Sequence, residues 1–182
     1  MIKYLYILII FFFNINSNAN NKENIINNLK NTKNFNFDFE QNINKKIEKG
    51  NCIIEYPRRI YCEYIGSNDK ILVSNGKSLV IKTKVSYYRY PLSKTPLYLI
   101  LDKKFLIDKI YQLEERIIDN SIINYTIKEN NYEVNIFFDE RTFNLIGWQT
   151  KDIYQNLNIT FLSSINRNEI FDKNIFKLPV QN

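Results

Sequence analysis

Phe35-Asn36-Phe37-Asp38-Phe39-Glu40-Gln41 alternates strictly between aromatic and polar side chains. Successive side chains on a β-strand point to opposite faces, so this period of two puts three rings on one face. The other face meets water. A strand wetted on one side belongs to an antiparallel sheet, because the strands of parallel sheets are buried on both faces and read as continuous apolar runs.

The segments downstream repeat this logic. Between Gly50 and Tyr64, the residues Cys52 and Ile54 share parity with Ile60, Cys62 and Tyr64 across Pro57-Arg58. A hairpin loop of Tyr56-Pro57-Arg58 sets Cys52 opposite Cys62. Opposed residues on one face have Cβ atoms ~4.5–5.5 Å apart, a little wider than the ~3.8 Å mean for disulfides. The sequence leaves open a Cys52–Cys62 disulfide and two small side chains facing a core. Val73 to Ile81 contains Asn75-Gly76, which suits a type I′ hairpin turn. Strand-like runs follow at 85–90, 117–128, 132–138, 143–150 and 157–162, with a turn at 139–142. Many strands on short links predict a mainly β meander that curls into a barrel or half-barrel.

Two segments have helical character. Ile25, Ile26 and Leu29 fall at helical spacing within residues 23–31. Further on, Thr95 and Pro96 stand where an N-cap and a first helical residue belong, ahead of Leu97-Tyr98-Leu99-Ile100-Leu101. With Phe105, Leu106 and Ile110, residues 95–112 read as one helical insert. A helix that is apolar nearly all round must be buried or must cover something greasy.

The first residues read as a secretory signal peptide: Lys3, an apolar run from Tyr4 to Phe13, and Ser17-Asn18-Ala19 before the cut. The run is too short to span a bilayer, which takes ~20 residues. The expected mature chain, 20–182, is one domain outside the cytoplasm, where a disulfide is permitted. Asn20 follows the cut where a bacterial lipoprotein needs Cys, so a non-acylated protein is expected. The chain carries +6, and Lys3 is the only charge before residue 20. Such a balance favours acidic surfaces such as phospholipid headgroups. No basic stripe with interleaved aromatics suggests nucleic acid.

Histidine is absent. That removes Ser-His-Asp and Cys-His catalysis and His-ligated metals. The four glycines are too scattered for a phosphate-cradling loop. No catalytic residue, metal site or cofactor is expected, and the protein reads as a non-enzyme. Thirteen Phe and thirteen Tyr suit either a β-rich core or an apolar cavity.

In order and spacing, these pieces resemble the periplasmic outer-membrane lipoprotein carrier family, LolA. The marks are Phe35-x-Phe37-x-Phe39-Glu40-Gln41 after an N-terminal helix, Gly50 through Tyr64, Leu72 through Leu79, Lys94-Thr95-Pro96-Leu97-Tyr98-Leu99, Leu145-x-Gly147-Trp148 and Phe176-x-x-Pro179. The resemblance implies an unclosed antiparallel barrel with an N-terminal helix and a lid helix over an apolar cavity. It implies a periplasmic chaperone, expected to be a monomer, that binds the acyl chains of lipoproteins. Its partners would be acylated lipoproteins, the inner-membrane ABC transporter LolCDE and the outer-membrane receptor LolB. The match puts Leu29 on the first helix, Leu97, Leu99, Ile100 and Leu101 on the lid, and Phe39, Ile54, Cys62 and Tyr64 on the inner sheet face as cavity lining. The same residues would also make an ordinary core.

One position departs from the family. An Arg just before the hairpin proline is linked there to transfer to the acceptor, and here Tyr56 stands in its place, with Arg58 and Arg59 after the proline. Three rival readings remain. A lipid-sensing domain of the same fold is expected to carry a second domain, whereas this sequence stops at Asn182. A secreted hydrolase needs a polar cluster in the cavity. A membrane-bound receptor of the LolB type needs a lipid-attachment Cys.

Overall fold

The structure, a computed structural model, describes residues 21–151 and 156–181. The expected signal peptide, 1–19, lies outside the described residues. Eleven strands form one antiparallel sheet: β1 (Asn34–Ile43), β2 (Lys46–Glu55), β3 (Arg59–Tyr64), β4 (Ile71–Asn75), β5 (Ser78–Lys82), β6 (Tyr87–Pro91), β7 (Arg116–Ile118), β8 (Ile122–Glu129), β9 (Tyr132–Asp139), β10 (Leu145–Lys151) and β11 (Leu157–Arg167). Their spatial order is β6-β5-β4-β3-β2-β1-β11-β10-β9-β8-β7. The sheet therefore grows outward from a central pair, β1 and β11, and ends in two free edges. It is unclosed, as expected.

β1 buries Phe35, Phe37 and Phe39 and exposes Asp38 and Glu40, so the period of two holds. Cys52 pairs with Cys62 in the β2–β3 ladder, and the two are joined as a disulfide. Gly50 lies opposite Tyr64 and Phe39 in the same ladders. A Cβ there would fall 2.0 Å from the Glu63 carbonyl and 2.8 Å from the Phe39 ring. Only glycine lets the chain pass so close to that carbonyl and that ring.

Three local expectations are corrected. The β4–β5 turn uses Gly76-Lys77, not Asn75-Gly76. Positive φ occurs at Gly76 alone of these residues, the pattern of a type II′ turn. Asn75 instead accepts hydrogen bonds from the Lys77 and Ser78 amides, each at 3.0 Å. The run 117–128 is two strands, because Asp119 and Asn120 adopt positive φ and turn the chain. The insert 95–112 is two helices, α2 (Leu97–Leu101) and α3 (Lys103–Gln112), broken at Asp102. Asp102 is extended and accepts from the Phe105 amide, so it starts α3 afresh. Thr95 does not cap α2 with its side chain, which donates to the Leu92 carbonyl at 2.8 Å.

The boundaries of other strands shift slightly. Val85 lies in a loop and Phe143 takes positive φ before β10 begins. The first helix, α1 (Asn21–Asn31), buries Ile25, Ile26 and Leu29. It is tied to the end of α3, where Lys22 Nζ donates to the Leu113 carbonyl at 2.8 Å. The core lies between the inner sheet face and these helices, and includes Leu99, Ile100, Leu101, Leu106, Ile110, Tyr125 and Phe138. No helix among the described residues is long and apolar enough to cross a membrane.

Candidate functional site

Part of the inner face is not filled by helices. A hollow of about 460 Å³ opens beside α2. Its wall is built from inward residues of seven neighbouring strands. Phe39, Cys52, Ile60, Cys62, Tyr64, Leu72, Leu79 and Ile81 supply the apolar side, and Trp148 and Thr160 lie across from them. Pro96 and Leu97 overhang it from the lid. The alternation of each strand makes this wall, because the residues of one parity meet on one face.

The aromatic lining is ordered by ring packing. Phe39 and Tyr64 meet edge to face with centroids 4.9 Å apart, and Phe37 packs the same way on Trp148 at 6.3 Å. Burial pushes the Tyr64 phenol up, so it stays neutral. Two polar contacts border the hollow. Gln41 Nε2 donates to Thr160 Oγ1 at 3.1 Å, and Lys70 pairs with Glu48 at the mouth while lying 4.0 Å from the Tyr64 ring centre. Such a cavity is apolar with a few polar groups, as ligand pockets usually are.

The expected lining residues divide. Phe39, Cys62, Tyr64 and Leu97 line the hollow, as does Cys52. Ile54, Leu99, Ile100 and Leu101 are buried in the core beside it. Leu29 lies elsewhere, in a niche of about 20 Å³ next to Tyr56. The residues not anticipated include Ile43, Ile60, Leu72, Leu79, Ile81, Tyr132 and Trp148. Their parity within each strand was a usable signal for most of them.

The turn between β2 and β3 meets the lid. Arg58 lies there with φ of 65°. Its amide donates to the Leu101 carbonyl at 2.8 Å, its guanidinium pairs with Asp102, and it covers the Tyr98 ring at 4.6 Å. Arg59 points elsewhere and pairs with Glu55 at 2.8 Å. Tyr56 packs half-buried against Phe35, and desolvation pushes its phenol up. A second tie holds the start of the lid, where Tyr132 Oη donates to the Lys94 carbonyl at 2.8 Å.

The hollow holds no serine or histidine among its lining residues. No group of three or more acidic or cysteine side chains among the described residues could hold a metal ion. The arrangement can shelter an apolar chain.

No curated protein matches the chain. An uncharacterized conserved protein from Thermus thermophilus superposes with a TM-score of 0.52 at 6% identity, over 88% of this chain and 94% of that one. A LolA superfamily protein from Nitrosomonas europaea gives 0.44 at 8% identity, over 86% and 97%. The lipoprotein LppX from Mycobacterium tuberculosis gives 0.45 at 11% identity, over 84% and 96%. The first of these likenesses supports the fold and nothing finer. A family model described as outer membrane lipoprotein carrier protein LolA matches residues 30–179, and the chain belongs to that family.

Proposed function

We propose that this protein is a periplasmic carrier that takes the acyl chains of lipoproteins into its hollow and moves them from the inner to the outer membrane. The supporting observation is the 460 Å³ apolar space directly beneath Leu97. An acyl chain left in water costs roughly 0.8 kcal/mol per CH₂. A carrier must hide that surface and still give it up. A wide fixed groove would expose an apolar patch and aggregate.

The two-part lid answers both needs. Leu99, Ile100 and Leu101 anchor α2 in the core, while Leu97 faces the hollow. The incoming chain gains only the difference between its own burial and what the lid loses by moving. Weak net binding makes handover to a greasier acceptor favourable. Arg58 touches the lid and Arg59 does not, so Arg58 is the residue that governs lid release in this reading. The binding role involves no covalent chemistry. Acylated lipoproteins, a LolCDE-type transporter and a LolB-type receptor are the partners this role calls for, with the carrier a monomer.

Incubating the purified protein with spheroplasts tests the reading. Release of a triacylated lipoprotein into the supernatant, in complex with the protein, is expected. A supernatant free of lipoprotein, or esterase activity in its place, would overturn it.

A further inference from the structure

The strand ends that carry the mouth of the hollow also carry three exposed apolar side chains. Ile43 ends β1, Tyr64 ends β3, Ile81 lies one residue from the end of β5 and Lys151 ends β10, and all four line the hollow. The loops at this same end place Val85 at 89% exposure and Ile65 at 69%, with Ile47 at 55% beside them. Single exposed apolar residues are ordinary on a surface. Two on adjoining loops and one at the start of β2, at the end of the sheet that carries the mouth, are a patch.

These tips are held, not loose. The Val85 and Ser86 amides donate to Thr83 Oγ1 at 3.2 and 3.0 Å. The Lys84 amide donates to the Asn68 carbonyl at 3.0 Å, and Lys84 pairs with Asp69 at 3.2 Å. The Ile65 amide donates to the Lys49 carbonyl at 2.8 Å. β-Branched side chains are poor turn residues, where Gly, Asn, Asp and Ser dominate. Ordered loops that hold Ile and Val outward therefore keep apolar surface in water at a cost.

Lysines surround the patch. Lys45, Lys46, Lys49 and Lys84 are exposed around it, Lys46 paired with Glu48 at 2.9 Å and Lys49 with Glu40 at 2.8 Å. Lys45 and Lys151 make no ion pair among the described residues. Apolar tips beside the unpaired Lys45 and Lys151 complement a bilayer that carries anionic headgroups, since the tips enter the acyl boundary and the lysines are attracted to the charged surface.

We infer that the loops after β1, β3 and β5 form a docking surface for a leaflet containing anionic phospholipid, which turns the mouth of the hollow toward the acyl layer. The purpose assigned to it rests on the acyl-carrier reading. A chain could then pass between hollow and bilayer without crossing water.

Co-sedimentation of the purified protein tests this, with vesicles of phosphatidylglycerol and phosphatidylethanolamine in equal parts against vesicles of phosphatidylcholine. Binding to the anionic vesicles is expected, weakening as salt rises. Ile65→Ser with Val85→Ser should lower it about tenfold or more, because two buried side chains are lost and a tenfold change needs only ~1.4 kcal/mol. Lys45→Glu with Lys151→Glu should lower it severalfold, while Ile117→Ser with Ile170→Ser, exposed away from this end of the sheet, should not. Equal binding by the loop variant, no preference for anionic vesicles, or a loss that instead tracks self-association of the protein would each overturn the docking surface. Acyl-chain uptake, followed through Trp148, should persist in the loop variant. If the unsubstituted protein binds vesicles but takes up no acyl chain, it is the carrier reading that fails.

Discussion

Arg58, on the β2–β3 turn, pairs with Asp102, the residue that divides the lid into two helices. The same carboxylate accepts from the Phe105 amide at 3.1 Å, so one side chain both starts α3 and receives the clasp. The guanidinium is 37% exposed, which limits what the pair contributes. Half-exposed pairs are worth about 0.2–1 kcal/mol. Arg58→Ala should therefore lower amide protection over residues 97–112 by about two- to fivefold in hydrogen exchange, with the sheet unchanged. Asp102→Ala should lower it further, since the helix cap adds roughly 0.5–2 kcal/mol. Equal protection in all three proteins would mean the clasp does not hold the lid.

Leu97 and Ile100 lie on one short helix but differ in environment. Leu97 lines the hollow, and Ile100 is fully buried. Leu97→Glu should weaken acyl-chain binding and leave the circular dichroism spectrum and unfolding midpoint near those of the parent. Ile100→Ala should cost about 2–5 kcal/mol in urea unfolding. A Leu97→Glu protein that binds as before would remove the lid from the mechanism.

The Cys52–Cys62 bond closes a short loop, at a sequence separation of 10. In the chain-entropy account a loop of this size gives about 2–3 kcal/mol. Adding dithiothreitol should lower the unfolding free energy by a matching amount, read as a lower urea midpoint. An unmoved midpoint, with the thiols shown to be free, would mean the ladder alone sets this stability.

Glu48 introduces a dependence on acid. Burial pushes its carboxyl up, and Lys70 and Lys46 together outweigh burial and hold it below its ordinary 4.5. A depressed carboxyl adds stability that is complete above the unfolded value and is lost as pH falls through the folded one. The urea midpoint should thus drop below about pH 4.5, and Glu48→Gln should flatten that drop. Parallel pH curves for the two proteins would assign the acid sensitivity elsewhere.

Much of the sheet was legible because burial on one face forces a period of two. Phe35, Phe37 and Phe39 show it, and parity together with the Tyr56-Pro57-Arg58 loop set Cys52 against Cys62. The break at Asp102 was not read, although Asp ahead of a helical run is a cap signal; the apolar stretch before it masked the boundary. Asp119-Asn120 likewise divided an apolar run that looked continuous. The site was harder. Leu97 and Ile100 have the same chemistry, and only packing decides which one meets an open space. The Arg58–Asp102 pair spans 44 residues, a contact that local pattern does not carry.

Trp148 is the only tryptophan of the chain, and it lines the hollow. Its fluorescence, titrated with a triacylated lipopeptide brominated along its acyl chains, tests the central claim most directly. The account predicts saturable quenching that Leu97→Glu weakens. Quenching no greater than that from a brominated water-soluble control would contradict it.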